Sequence, residues 1–151
     1  MASTLKQSIH SRCVGMVQLK IDELRKELDQ LTLSYGVETK SSSGDKYETN
    51  REMINQEKAK INERMEHALK MKASLDQIDP EKAQKIIDFG SLVRTDTGWY
   101  FISVPLGGIE NLGHSVFAVS AISPIGKQLV GKSVSDQFVI GNMEQKILEV
   151  Y

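Results

Sequence analysis

The sequence predicts an α+β protein made of an antiparallel α-helical coiled-coil hairpin followed by a small domain with an antiparallel sheet. Three features predict it: apolar residues spaced by alternating threes and fours through the first half, a serine- and glycine-rich break within that half, and a compositional change near Asp79-Pro80. Glycine is scarce and charge dense before that change; glycine, β-branched and aromatic residues become common after it. The reading is therefore a hairpin over 1–79 with an acidic tip near 44–48, and a second domain over 80–151.

Val14, Val17, Ile21, Leu24, Leu28, Leu31 and Tyr35 define the first helical seam. Ile54, Lys58, Ile61, Met65, Ala68, Lys72 and Leu75 keep the same register, with two lysines whose aliphatic stems can lie along the seam. The stretch 36–45 carries four serines or threonines and two glycines, so the chain must reverse there, and adjacent helices joined this way pack antiparallel. Helices of about 30 residues would reach roughly 45 Å at 1.5 Å per residue. A spacer or oligomerisation coil is the plain alternative.

Asp79 as N-cap, Pro80 at the first helical position and Glu81 in the first turn predict a short helix to about Asp88, ended by Gly90. Strands are expected over 91–94, 98–104, 115–122 and 136–140, the last pairing through Gly141-Asn142 with 145–151. Between them, 123–132 reads as a turn, a short apolar helix and a glycine stop.

Composition narrows the function. With charged residues at 26% but a net charge of −1, attraction of the whole molecule to a polyanion is not expected, so any nucleic-acid contact must be local. The single cysteine, Cys13, excludes an intramolecular disulfide and a multi-cysteine metal site, and reads as a buried helical thiol. No apolar run approaches the roughly 20 residues of a membrane span, and the N-terminus shows no signal-peptide pattern. The expectation is a soluble cytoplasmic protein. His10, His67 and His114 lack metal-ligand spacing, Trp99-Tyr100-Phe101 reads as strand core, and no nucleophile triad, P-loop or dinucleotide motif occurs. An independent enzyme is not expected.

The segment Gly44-Asp45-Lys46-Tyr47-Glu48 carries the chemistry. Asp45 and Glu48, three residues apart, fall on one side of a helical turn. That pattern fits a capping box, the reading that spacing alone favours, with chemistry by the paired carboxylates as the alternative. Lys40, Lys46, Arg51, Lys58 and Lys60 form a basic neighbourhood that reads as a solvated helix face balanced by nearby acids.

Glycine followed by Asp-x-x-Glu at the end of a coiled coil resembles the acidic tip of the Gre family of bacterial transcript-cleavage factors. Ser123-Pro124-Ile125-Gly126-Lys127, with Leu129, Gly131 and Lys132, is similar to that family's Ser-Pro-Leu-Gly-Lys signature. The segments 88–93 and 146–151 also look like family segments, so the resemblance covers nearly the whole chain. It implies an FKBP-like second domain that docks on bacterial RNA polymerase through Ser123, Pro124, Gly126 and Lys127. It also implies a hairpin that enters the polymerase's secondary channel, and a tip whose Asp45 and Glu48 help hold a second Mg²⁺ there while the polymerase cuts backtracked transcript.

On this resemblance Lys40, Lys46 and Arg51 would face the nascent RNA 3′ end, with DNA of the elongation complex a further candidate contact. No cofactor would be tightly bound, and the chain would act as a monomer. The tip departs from the family pattern at Tyr47 and Thr49, and Arg51 stands where a third acid is common; 106–110 reads Leu-Gly-Gly-Ile-Glu where the family has a Glu-Ala-Asp stretch. These departures raise a rival expectation, a channel-binding regulator that inhibits or remodels polymerase without promoting cleavage. A coiled-coil interaction protein with no polymerase contact is the third.

Overall fold

The computed structural model describes the backbone of residues 2–41 and 44–151, and the side chains of 4–34 and 48–151. The order of elements is α1 (Ala2–Ser41), α2 (Gly44–Asp76), β1 (Leu92–Thr95), β2 (Gly98–Ser103), β3 (Gly107–Asn111), β4 (His114–Ser120), α3 (Pro124–Leu129), β5 (Gln137–Ile140) and β6 (Met143–Val150). The chain divides into two compact units: Met16–Lys72, wholly helical apart from the undescribed break, and Met1–Gly15 with Ala73–Tyr151, which holds the sheet. No helix among the described residues is long and apolar enough to cross a membrane.

In the helical unit, the predicted seams bury Val17, Ile21 and Leu24 on α1 and Ile61 and Ala68 on α2, with Leu28, Leu31, Ile54, Lys58, Met65 and Lys72 half-buried. Glu27, Gln30, Leu31 and Ser34 of α1 line one groove together with Glu57 and Ile61 of α2. The side chain of Tyr35 lies outside the described residues.

In the sheet-bearing unit, the first turns of α1 bury Leu5, Ile9 and Cys13, so Cys13 and not Val14 takes the inner position. The inner row shifts by one position here because a helix lying on a sheet is free to keep the straight 3.6-residue period, against which a 3.5-residue seam drifts. His10 meets Phe101 edge-on at 6.4 Å and shares a 2.7 Å hydrogen bond with the Leu75 carbonyl, while Asn111 donates to the Ser8 hydroxyl at 2.8 Å.

The sheet has six strands in the order β3-β4-β2-β1-β6-β5. It is mixed: four of the five strand pairings are antiparallel, in line with the mostly antiparallel sheet expected, and β2 and β4 run parallel. The cause is β3, which lies outside the strands expected from the sequence: the chain passes from β2 to the far side of β4, and the β3–β4 hairpin then lays β4 beside β2 in the same direction. Leu112 and Gly113 form that hairpin's two-residue turn, both at positive φ (50° and 78°), as the twist of a tight hairpin demands. Gly141-Asn142 closes the β5–β6 hairpin as expected, with Ile140 opposite Met143.

The predicted helix over 80–88 is a single turn followed by irregular chain that bends at 85–86. The Asp79 carboxylate accepts from the Glu81 amide at 3.0 Å, as a cap would, but the backbone groups that should propagate the helix are taken elsewhere. Ile87 donates to the Lys132 carbonyl and accepts from the Gly131 amide, both at 2.8 Å. Lys6, almost wholly buried, donates to the Lys82 carbonyl at 2.8 Å.

The sheet carries apolar residues on both faces. On one, Ile87, Val93, Ile102, Leu129, Phe138 and Ile147 form a buried cluster closed by α3 and β5. Each such side chain stabilises the fold by about 1.5–3 kcal/mol. On the other, Leu92, Phe101, Ile109, Val116 and Ala118 share a face by register and lie under the first turns of α1.

Candidate functional site

Gly44 is already helical, so the backbone of Asp45 lies inside α2, one step within the position a capping box requires. Asp45 and Glu48 form an i, i+3 pair near the start of α2, directly after the undescribed residues 42–43, and such pairs share a helix face. Glu48 and Arg51, again three residues apart, are exposed and line a shallow groove with Glu52, Asn55 and Gln56. The side chains of Lys40, Asp45 and Lys46 lie outside the described residues. Further along α2, Lys60 pairs with Glu57 at 3.4 Å and Lys70 with Glu66 at 3.3 Å, exposed contacts that add little stability and leave this face electrically balanced. Among the described residues no three His, Cys, Asp or Glu side chains gather as a metal site would need.

The segment from Ser123 to Lys127 builds the start of α3. Ser123 caps the helix, its hydroxyl accepting from the Gly126 amide at 3.1 Å and donating to the Ser120 carbonyl at 2.6 Å, with Pro124 in the first turn. Gly126 is pressed onto the chain leaving β4: a Cβ there would stand 2.1 Å from the Ser120 oxygen. Ser123 and Gly126 are thus engaged within the domain, whereas Pro124 and Lys127 are exposed. A neighbouring apolar surface joins Pro124 and Ile125 to Val139 and Ile140.

A third feature had no counterpart in the sequence reading. Trp99, expected in the strand core, is half-buried and lines an open cavity of 790 Å³ with Arg94, His114, Glu149 and Tyr151. The alternation of β2 put Trp99 on the face of Phe101, but nothing local signalled that α1 would leave that end of the sheet uncovered. Arg94 donates to both carboxylate oxygens of Glu149, at 3.2 and 3.3 Å, and the Tyr151 hydroxyl donates to the same group at 2.7 Å. The hydrogen bonds from Tyr151 and then Arg94 hold Glu149 below the usual carboxylate range, and burial together with Glu149 pushes the Tyr151 phenol up.

Fold and sites together define an α+β chain with two long helices, an acidic pair beside the break between them, and a mixed six-stranded sheet. No family model matches the chain, and no curated protein matches it. A solved structure titled "Structure of the transcription factor Gfh1" is similar over 92% of this chain and 93% of that one, at 20% identity. Its TM-score of 0.37 is below the level from which a shared fold follows.

Proposed function

We propose that this chain is a Gre-like transcription elongation factor that binds bacterial RNA polymerase, inserts an antiparallel helical hairpin into the secondary channel and stimulates the polymerase's own cleavage of backtracked transcript. The observation that carries the reading is the Asp45–Glu48 pair, set on one face of α2 directly after the break between two long helices. The hairpin is supported by the groove that Glu27–Ser34 shares with Glu57–Ile61 and by the burial of both seams. Docking through an FKBP-like domain is supported by the exposed Pro124 and Lys127 beside the apolar Val139.

The donor set fits a shared Mg²⁺: two carboxylates supply hard oxygens, too few for an octahedral shell, so the remaining ligands fall to the polymerase and water. When bound, the ion activates water and stabilises the leaving oxygen of the phosphodiester. Asp45 and Glu48, three residues apart on α2, would contribute their carboxylate oxygens to that ion. Arg51, exposed three residues beyond Glu48, would offer positive charge to RNA phosphate, and the resemblance gives Lys46 the same role. In this reading the chain has no hydrolytic centre of its own and works in the cytoplasm as a monomer.

The test is cleavage of 3′-labelled RNA in backtracked complexes, comparing the wild-type protein with Asp45→Ala/Glu48→Ala. Mg²⁺-dependent acceleration by the wild type, lost in the double variant while binding persists, is expected. No acceleration by the wild type, despite demonstrated binding, refutes cleavage. The exposed Arg51 beside Glu48 favours the second reading in that event, a regulator that occupies the channel without promoting hydrolysis. Absence of binding to core polymerase refutes both.

A further inference from the structure

β3 forms one edge of the sheet. The turn at Leu112-Gly113 closes on the Asn111–His114 pair, so the backbone groups of Asn111, Ile109 and Gly107 bond to β4, and those of Glu110 and Gly108 point away from it. No other backbone group among the described residues takes them up. Gly107 and Gly108 have no side chains to keep a further strand away, and the edge has no lysine, proline or bulge of the kind that closes such edges. Its two faces differ. Ile109 is buried and Asn111 binds Ser8 on the face that lies under α1. Gly108 and Glu110 share the opposite face with Phe117, whose ring is 45% exposed, packs against Tyr100 at 5.9 Å and would stand 3.3 Å from a Cβ at position 108. The cluster closed by α3 and β5 takes in Tyr100 but not Phe117. The exposed Glu110 carboxylate has no cationic partner among the described residues.

These placements select an occupant. An extended segment laid against β3 meets open N–H and C=O groups at 108 and 110, and its side chain opposite Gly108 crosses bare backbone to reach the Phe117 ring. Glu110 is the diagonal neighbour of Phe117 across the β3–β4 pair, about 7–8 Å away and so within the span of one long side chain. An aromatic face and an unpaired carboxylate both attract a cation, and the carboxylate repels phosphate. Arginine suits the pair better than lysine, because its planar guanidinium stacks on a ring while its N–H fork meets a carboxylate. We propose that the β3 edge binds an extended, arginine-bearing segment of a partner protein by strand addition, the arginine lying on Phe117 and pairing with Glu110. A second copy of this chain does not supply that strand: the one arginine in its strands is Arg94, in the interior strand β1 and held by Glu149. The inference does not rest on the polymerase reading, since none of these residues lies at the α2 start or in the Ser123 turn.

The full-length protein, labelled with ¹⁵N, is titrated with an end-capped peptide of sequence threonine-valine-arginine-valine-threonine. Saturable shifts of the Gly108 and Glu110 amide resonances are expected, with Val139 on the opposite edge strand, β5, unmoved. Citrulline in place of the arginine keeps the shape and removes the charge, and should weaken binding by about fivefold, as should Glu110→Gln. Gly108→Val sets a side chain in the path to Phe117 and should abolish the shifts, its spectrum elsewhere showing that the sheet is intact. Gly108 and Glu110 resonances that do not move overturn the proposal with no variant required. Equal binding of the citrulline peptide by the wild-type protein also overturns it. Equal movement of Val139 does the same, since the peptide would then be pairing with either edge indiscriminately.

Discussion

Replacing Gly126 by alanine probes the tightest contact in the sheet-bearing unit. The added Cβ would lie 2.1 Å from the Ser120 oxygen and 2.9 Å from two backbone atoms of Ala121, so α3 must withdraw by more than an ångström. The Ser120 carbonyl cannot easily yield, because it accepts from both the amide and the hydroxyl of Ser123. Overpacking against backbone costs about 1–3 kcal/mol and a disturbed N-cap about 1 more, offset by about 1 kcal/mol that alanine gains over glycine in a helix. The net expectation is a loss of ~1–3 kcal/mol, or roughly 2–12 °C in Tm for a chain of this length. Urea unfolding followed by Trp99 fluorescence reads this unit directly, since Trp99 and α3 belong to it. Lys127→Ala, exposed on the same helix, should change stability by no more than about 0.5 kcal/mol. A Gly126→Ala midpoint as close to wild type as that of Lys127→Ala would refute the packing argument and return Gly126 to a docking role.

Three further outcomes are expected. Burial pushes the Cys13 thiol from its ordinary 9.0 up to about 11, so its contribution is whole below pH 9 and lost as pH rises through 11. The gap corresponds to roughly 2–3 kcal/mol, seen as a wild-type decline that Cys13→Ala does not share in urea midpoints measured across that interval. Lys6 has the opposite sign: burial lowers its pKa despite the nearby Asp79 and with a small push from Lys82, so the unfolded chain binds more protons and stability rises as pH approaches 10.5. Lys6→Met should remove that rise in the same midpoints. Ile147→Ala empties part of the cluster around Leu129 and Phe138 and should cost about 2–5 kcal/mol by equilibrium unfolding.

The long helices were legible because a period repeated over many turns averages out local noise. Val17, Ile21, Leu24, Ile61 and Ala68 are buried where alternating threes and fours put them. Where the partner changes from helix to sheet the inner row becomes Leu5, Ile9 and Cys13, and sequence carries no local mark of that change. The helix expected over 80–88 failed for a different reason. Its N-cap chemistry is real, since Asp79 binds the Glu81 amide, but a cap worth about 1 kcal/mol cannot outweigh two backbone hydrogen bonds to 131–132 and the burial of Ile87. β3 was hidden by Gly107-Gly108, a pair that reads as loop because it lacks side chains to alternate.

The candidate sites divide along the same line. The start of α3 could be read from Ser123, Pro124 and Gly131 because capping is a property of a few consecutive residues, and the acidic pair could be read because i, i+3 spacing is local too. The Trp99 groove is a product of strand register and of where α1 ends its cover: Arg94 stands across from Trp99 on one side and from Glu149 on the other, 55 residues away in sequence. Period-two alternation put Trp99 on the same face as Phe101, and Phe101 is indeed sealed. Two positions along one strand thus have opposite fates, sealed core and cavity lining. What separates them is the reach of α1 over the sheet: at Phe101 the ring of His10 closes the face, and at Trp99 only Thr4 and Leu5 stand at the rim. An alternating strand therefore predicts a face, and the element laid across that face decides which of its residues remain open to a partner.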